Sequence, residues 1–303
     1  MDLIDRSKPP IVYSRSEVNF LRFASGTTMH HHLSIIIIVC LLLGCHAPME
    51  AAESSKSGSF WKDLWKEATS AELKELLRDA QVGKSDAQIK LGHAYRDGDG
   101  VKPNIEKAIE LYTLASKEPE GLYALGLLHC NGNGGVQDFA KSKTFLEKAS
   151  GLGLADASDT LALLARDGIG EIQDLKLSHQ WTLKAAAQGK PSAMLRCARQ
   201  YEKGVVFKPD IRKAFLWCLR AAEAGLPEAQ HLAGFWYYKG HGVVSDPVAS
   251  FAWLHLAAEK NASGAAEARD MVGVTLSHSQ VTRAWDIIQY FKQQVLPLDV
   301  SAD

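Results

Sequence analysis

A step of about 36 residues governs this chain. Small residues that open successive helical segments recur at Ala87, Gly121, Ala157, Ala193 and Ala229, at intervals of 34, 36, 36 and 36. Eleven positions after each stands a glycine: Gly98, Gly132, Gly168, Gly204 and Gly240. A second series, Ala115, Ala149, Ala185, Ala221 and Ala257, holds one equivalent position with alanine every time. Seven positions before each of these lies another small residue (Ala108, Ser142, Ser178, Ala214, Ser250). Periods of this length belong to chains in which one supersecondary unit cannot bury its apolar side alone and stacks on copies of itself.

The register implies local structure. Counted from each opening residue, offsets 0, 4 and 8 fall on one helical face, as in Ala87, Leu91, Tyr95; Ala193, Cys197, Tyr201; and Ala229, Ala233, Tyr237. The glycines can end the first helix of each unit because they tolerate left-handed backbone angles. Asn104, Asp138, Asp174, Asp210 and Asp246 then stand as N-caps of the second helices, and Pro247 suits a first helical position. The expected fold is all-α, a right-handed superhelix of antiparallel helix pairs. Residues 60–84 read as N-terminal capping helices, a half-repeat with a capping box at Thr69-Ser70-Ala71-Glu72 and a stripe of Leu73, Leu76, Leu77 and Ala80. Five units follow, at 85–118, 119–154, 155–190, 191–226 and 227–263. Residues 264–296 read as C-terminal capping helices, the last capped by Ser277 or Ser279 and apolar along Val281, Ala284, Trp285, Ile288 and Phe291. Residues 297–303 form a tail.

The segments LGHAYRDGDGV (91–101), KAFLWCLRAAEAG (213–225) and AGFWYYKGHGVVSDPVASFAWLHLAAEKN (233–261) resemble Sel1-like repeats, relatives of the tetratricopeptide group. Gly92 precedes Ala108 by sixteen residues, where a tetratricopeptide repeat has about twelve, which leaves room for the longer Gly-x-Gly loop of Sel1 units. Repeat 3 departs from the pattern with Ala162 and Ala165 in place of Gly and Tyr, and repeat 4 with Val206 in place of the second loop glycine. The resemblance implies a non-catalytic scaffold that presents a concave helical groove to a protein or peptide partner, a cell-envelope complex or polysaccharide machinery among the options. Offsets 2, 6 and 9 lie opposite the packed face: Ile89, His93, Arg96; Tyr123, Leu127, Cys130; Asp159, Leu163, Arg166; Leu195, Arg199, Glu202; and His231, Phe235, Tyr238. The candidate groove residues among them are His93, Arg96, Tyr123, Leu127, Arg166, Arg199, His231, Phe235 and Tyr238, since aromatic and arginine side chains make good interface anchors.

Near the start, Leu33–Leu43 is an eleven-residue apolar run followed by Gly44 and Cys45. That is short for a bilayer span and right for a signal-peptide core. Leu42-Leu43-Gly44-Cys45 resembles the bacterial lipobox, in which the cysteine is acylated. Residues 1–44 then read as a signal peptide, with Met29 an alternative start, and 45–59 as a tether. His46 is not the aspartate that favours inner-membrane retention in lipoproteins. The expected location is the bacterial cell envelope, facing the periplasm on the outer membrane, with the lipid as the sole membrane contact.

A net charge of −1 supplies no basic excess for nucleic acid. Asp97-Gly-Asp-Gly100 looks like the start of a calcium loop, but Val101 and Ala108 stand where an EF-hand needs an oxygen ligand and a glutamate. The histidines and cysteines have no zinc spacing, and neither H-E-x-x-H, G-x-S-x-G nor a P-loop occurs. No catalytic residue, metal ligand or cofactor is therefore expected. An enzyme acting on cell wall or β-lactam and a structural periplasmic spacer are the alternatives. Trp181, Trp217 and Trp253 recur at one second-helix position and read as fillers between helices, with a stacked sugar- or peptide-binding ladder as the other option. Cys197 sits at a leucine position, so packing as a small hydrophobe and a bond to Cys218 both stay open.

Overall fold

A computed structural model describes residues 56–132, 135 and 137–295. The chain divides into two units, Met1–Phe60 and Trp61–Asp303, and of the first only the opening turn of one helix is described. The segment read as a signal peptide, Cys45, most of the segment read as a tether, and residues 296–303 lie outside the described residues. Those described form fourteen helices and no strand: α1 (Lys56–Glu67), α2 (Ala71–Gln81), α3 (Ser85–Asp97), α4 (Ile105–Leu114), α5 (Pro119–Asn131), α6 (Phe139–Gly151), α7 (Ala155–Asp167), α8 (Leu175–Ala187), α9 (Pro191–Lys203), α10 (Ile211–Glu223), α11 (Pro227–Lys239), α12 (Pro247–Glu259), α13 (Ala265–Gly273) and α14 (His278–Val295).

Each repeat is a helix pair, and each second helix also packs on the first helix of the next pair. That alternation makes a solenoid. Its punctuation is local chemistry. Gly98, Gly132, Gly168, Gly204 and Gly240 end α3, α5, α7, α9 and α11 with φ between +67° and +81°, which an L side chain rarely adopts. Asn104, Asp138, Asp174, Asp210 and Asp246 each accept a hydrogen bond from a backbone amide in the first turn of the second helix. Between these signals, the amide of each capping residue donates to the carbonyl at offset 8 of its own first helix (Tyr95, His129, Ala165, Tyr201 and Tyr237) at 2.7–3.0 Å. The same loop frame is thus drawn five times.

The small-residue series lies in the core. Ala115, Ala149, Ala185, Ala221 and Ala257 are all fully buried, as are Ala108, Ser142, Ala214 and Ser250, with Ser178 nearly so. Repeat 1 is two residues shorter than the rest, and α4 ends at Leu114, before its alanine. There α5 comes so close that a Cβ on Gly121 would sit 2.4 Å from the Ala115 carbonyl oxygen. Glycine in place of alanine at that one opening position has a steric cause.

A second pairing explains Ala162 in repeat 3 and its counterpart Ala198 in repeat 4. The residue at offset 5 of each first helix faces the residue twenty positions later, on the second helix. A Cβ on Gly92 would lie 2.5 Å from the Tyr112 ring, on Gly126 2.8 Å from Leu146, and on Gly234 2.7 Å from Leu254. Where the first member is Ala162 or Ala198, the second is Thr182 or Cys218. The added methyl is matched by a smaller partner, and all four residues are buried, as close packing demands. Cys197 and Cys218 are free, buried thiols, and burial pushes each up to about 12. They pack as small hydrophobes.

Two details differ from the sequence reading. The N-cap of α2 is Ser70, whose side chain accepts from the Leu73 amide, one residue later than a capping box from Thr69 requires. At α14 the box is reciprocal: the Ser277 hydroxyl accepts from the Gln280 amide at 3.4 Å and the Ser277 amide donates to Gln280 Oε1 at 2.9 Å. Ala284 and Ile288 of α14 are fully buried against the last repeat, while Trp285 keeps 40% of its surface exposed.

Candidate functional site

The first helices α3, α5, α7, α9 and α11 supply the candidate groove. Offset 2 proves to be the seam between neighbouring first helices. Tyr123 Oη lies 3.3 Å from Thr160 Oγ1, and Asp159 pairs with the Arg196 guanidinium and, at 3.1 Å, with Lys190 Nζ. Ile89, Asp159 and Leu195, all on the face taken from the sequence as open, are buried. The reason is geometrical. A first helix in a solenoid buries one side against its own second helix, another against the preceding second helix, and a third stripe against the next first helix. Only offsets 6 and 9 and their flanks stay open.

None of the nine candidate groove residues is buried. Phe235 and Tyr238 are 47% and 45% exposed. Lys239 stands over both rings, at 5.9 Å and 5.3 Å from their centroids, within range of a cation–π attraction. Arg166 and Arg199 are exposed, while Leu127 and His231 are half-buried. Arg96 and Arg166 are each held by the next residue on their own helix, Asp97 and Asp167. These pairs keep both carboxyls below the usual range. Such bonds must break before either arginine grips a partner. His93 Nδ1 lies 2.7 Å from Tyr112 Oη. Burial, then Arg96, holds the imidazole below its ordinary value against the opposing pull of Asp97.

The tryptophans pack. Trp253 is buried, with its ring 4.5 Å from Phe291 of the capping helix, and Trp181 and Trp217 are half-buried beside Lys184 and Arg220. Asp97 is engaged by Arg96, and no metal-holding cluster of His, Cys, Asp or Glu occurs among the described residues. No described helix is long and apolar enough to cross a membrane.

Sequence reasoning missed the polar seam between repeats 3 and 4. Asp159, only 7% exposed, carries two cationic partners there. Beside it Ser158 Oγ bonds to Gln188 Oε1 at 2.5 Å and Ser150 Oγ at 2.7 Å. The signal was present as a carboxylate and an arginine, 37 residues apart, at offsets 2 and 3 of consecutive repeats.

Comparison with known proteins adds the following. The profile described as the Sel1 repeat matches residues 85–118, 119–154, 159–190, 191–226 and 227–261. A search of the curated proteins matches none of them to this chain. Among solved structures, the chain is similar to a Sel1 repeat protein from Oxalobacter formigenes, at 26% identity and TM-score 0.53, over 66% of this chain and 83% of that one. It is also similar to a protective antigen of uropathogenic Escherichia coli displaying an SLR fold, at 21% identity and TM-score 0.39, over 84% and 66% of the two chains. A third likeness is to an immunity protein from Pseudomonas aeruginosa, at 19% identity and TM-score 0.42, over 69% and 84%.

Proposed function

The chain belongs to the Sel1 repeat family, and on that premise we propose that it is a non-catalytic adaptor whose first-helix face binds a polypeptide partner at the bacterial cell envelope. Sel1 repeat proteins generally mediate protein–protein interaction. The observation that carries the placement is the pair Phe235 and Tyr238, two large rings left half in water on the last repeat. Aromatic side chains with two rotatable bonds bury much area for little lost freedom, which is why they anchor interfaces. Arg199, exposed at offset 6 of the preceding first helix, extends the same face. Acylation of Cys45 would hold this face close to a membrane and raise its effective concentration for partners there.

The test uses the chain beginning at Cys45 as bait against cell-envelope extract, beside a Phe235→Ala/Tyr238→Ala variant. A specific partner retained by the wild type is expected to lose at least tenfold in affinity, since such anchors are worth about 2 kcal/mol or more each. Equal retention by both proteins would remove this face from the reading. Mass spectrometry of the mature N-terminus tests the acylation separately.

A further inference from the structure

Offset 8 of the first helix is an aromatic ring in four repeats, Tyr95, His129, Tyr201 and Tyr237, and Ala165 in the other. In its own repeat that ring lies between the preceding second helix and its own. Tyr237 packs edge-on to Phe215 at 5.0 Å, and Tyr201 packs edge-on to His179 at 5.4 Å. The frame around Ala165 is unchanged. The Asp174 amide still donates to the Ala165 carbonyl at 2.9 Å, and Gly168 and Gly170 keep the left-handed angles of the corresponding glycines in repeats 1 and 5. The loop has therefore not collapsed into the missing ring's place. A cavity of about 110 Å³ remains, walled by Phe139, Lys143, Leu161, Leu164, Leu177 and Trp181.

We infer that this cavity receives an aromatic side chain, phenylalanine or tyrosine, carried by a partner polypeptide. What fits is read from the molecule itself, because the other repeats fill the same place with rings. At about 110 Å³ the cavity is smaller than the roughly 150 Å³ apolar cavity that takes up benzene in another protein, so a ring seated in it would reach out through the mouth. Charge is complementary as well. In repeats 1 and 4 Lys107 and Lys213 stand 5.2 Å and 5.7 Å from the ring centroids of Tyr95 and Tyr201. In repeat 3 that second-helix position is Leu177, and Lys143, held by Glu171 at 2.8 Å, is the cation in the wall. A cation at a ring face is attracted by its quadrupole. The mouth favours a polypeptide over a free ring. Ile169 and Ile172 around it are 43% and 93% exposed; a small molecule would leave them in water and a chain segment would cover them. This inference rests on the reading of the protein as a polypeptide-binding scaffold, but it names a different site from the first-helix face.

The experiment has two arms, both on the chain beginning at Cys45. In the first, p-cresol, the side chain of tyrosine, is titrated while the Trp181 indole resonance is followed. Saturable binding is expected, lost at least tenfold in Ala165→Tyr, which supplies the ring from within. Absence of saturable binding, or binding that Ala165→Tyr leaves intact, overturns the cavity as an aromatic site. In the second arm, displayed twelve-residue peptides are selected on the wild type and counter-selected on Ala165→Tyr. The survivors are expected to carry Phe or Tyr and to lose several-fold in affinity on Ile172→Asp, which puts a charge at the mouth that a chain segment would cover. Cresol binding with no peptide able to tell wild type from Ala165→Tyr overturns the polypeptide assignment. Peptides that ignore both changes yet depend on Phe235 and Tyr238 overturn this site while leaving the adaptor reading standing.

Discussion

Repeats 3 and 5 share one backbone plan and fill it in opposite ways. In repeat 5, Tyr237 closes the loop against Phe215, Gly234 lets Leu254 lie against the helix, and the surrounding core is continuous and apolar from Leu195 to Ile288. In repeat 3, Ala165 leaves the ring's place empty, Ala162 faces Thr182, and Asp159 carries charge into the seam with repeat 4. The caps, the left-handed glycines and the buried alanines are the same in both. Backbone punctuation therefore sets the solenoid, and side-chain volume and polarity vary within it as long as each local exchange is balanced. Repeat 3 is balanced in the Ala162–Thr182 pair but not at Ala165, and that imbalance marks it out.

The largest expected effect is at the charged seam. Asp159→Ala would leave Arg196 partly buried without its counter-charge, Lys190 keeping Asp156, at a cost of about 3–5 kcal/mol. Replacing both Asp159 and Arg196 by leucine, the seam residue type of the next junction at Leu195, should recover most of that loss. Urea unfolding midpoints of the single and double variants check this. A single substitution as mild as an exposed one would mean that solvent reaches the pair and that the two seams differ less than their residues suggest.

This contrast was only partly legible in the sequence. The capping aspartates and the αL glycines could be read directly, because each acts on backbone groups within a few residues of itself. Offset 2 could not. Whether Ile89 or Asp159 faces water depends on how closely the next first helix approaches, and helical periodicity alone does not fix a distance between helices. The Gly–Leu and Ala–Thr pairing at twenty-residue spacing was written in the sequence, but it acquires meaning only once the two helices are known to touch at that level. The groove residues lie between these cases: Phe235 and Tyr238 are exposed as their offsets imply, whereas Arg96 and Arg166 spend their guanidinium groups on adjacent aspartates that no face-by-face reading would weigh.

The next effect has opposite signs at equivalent positions. Tyr95→Ala in repeat 1 removes a ring that is 1% exposed and should cost about 3–5 kcal/mol. Ala165→Tyr in repeat 3 adds a ring where the frame already accommodates one, and cavity filling of this kind yields about 0.5–2 kcal/mol. Thermal unfolding of the two variants reads both signs. A loss on Ala165→Tyr would show that repeat 3 has rearranged to suit its alanine.

Smaller again is the exchange at offset 5. Gly234→Ala sets a methyl against Leu254 and should cost about 1–3 kcal/mol by overpacking. Adding Leu254→Thr, which reproduces the Ala162–Thr182 pair of repeat 3, should return part of that cost. A coupling energy near zero in the double-mutant cycle would mean that the two positions do not sense each other, and the volume exchange between repeats would be coincidence.

The smallest effect separates the repeats by pH. His255 in repeat 5 is held below its ordinary value, first by burial, with Arg269 on α13 and Lys292 on α14 adding to the effect and Glu259 opposing it; its ring lies 4.6 Å from Trp285. His93 in repeat 1 is lowered likewise. A base whose folded value is depressed binds its proton more readily when unfolded, so stability rises with pH across the window. The contribution is complete above about pH 6.5, the unfolded value of histidine, and is lost as the pH falls below it. Repeats 1 and 5 should therefore loosen first on mild acidification, ahead of the first helix of repeat 3, which carries no histidine. Amide hydrogen exchange at pH 7.5 and 5.5 should register lost protection in α3, α4, α12 and α14 before α7. His255→Phe, which keeps a ring against Trp285 and removes the titrating group, should flatten the change in α12 and α14 alone. If acid instead opens α7 first, the Asp159 seam and not the buried imidazoles sets the acid response, and repeat 3 is the more fragile region in charge as well as in volume.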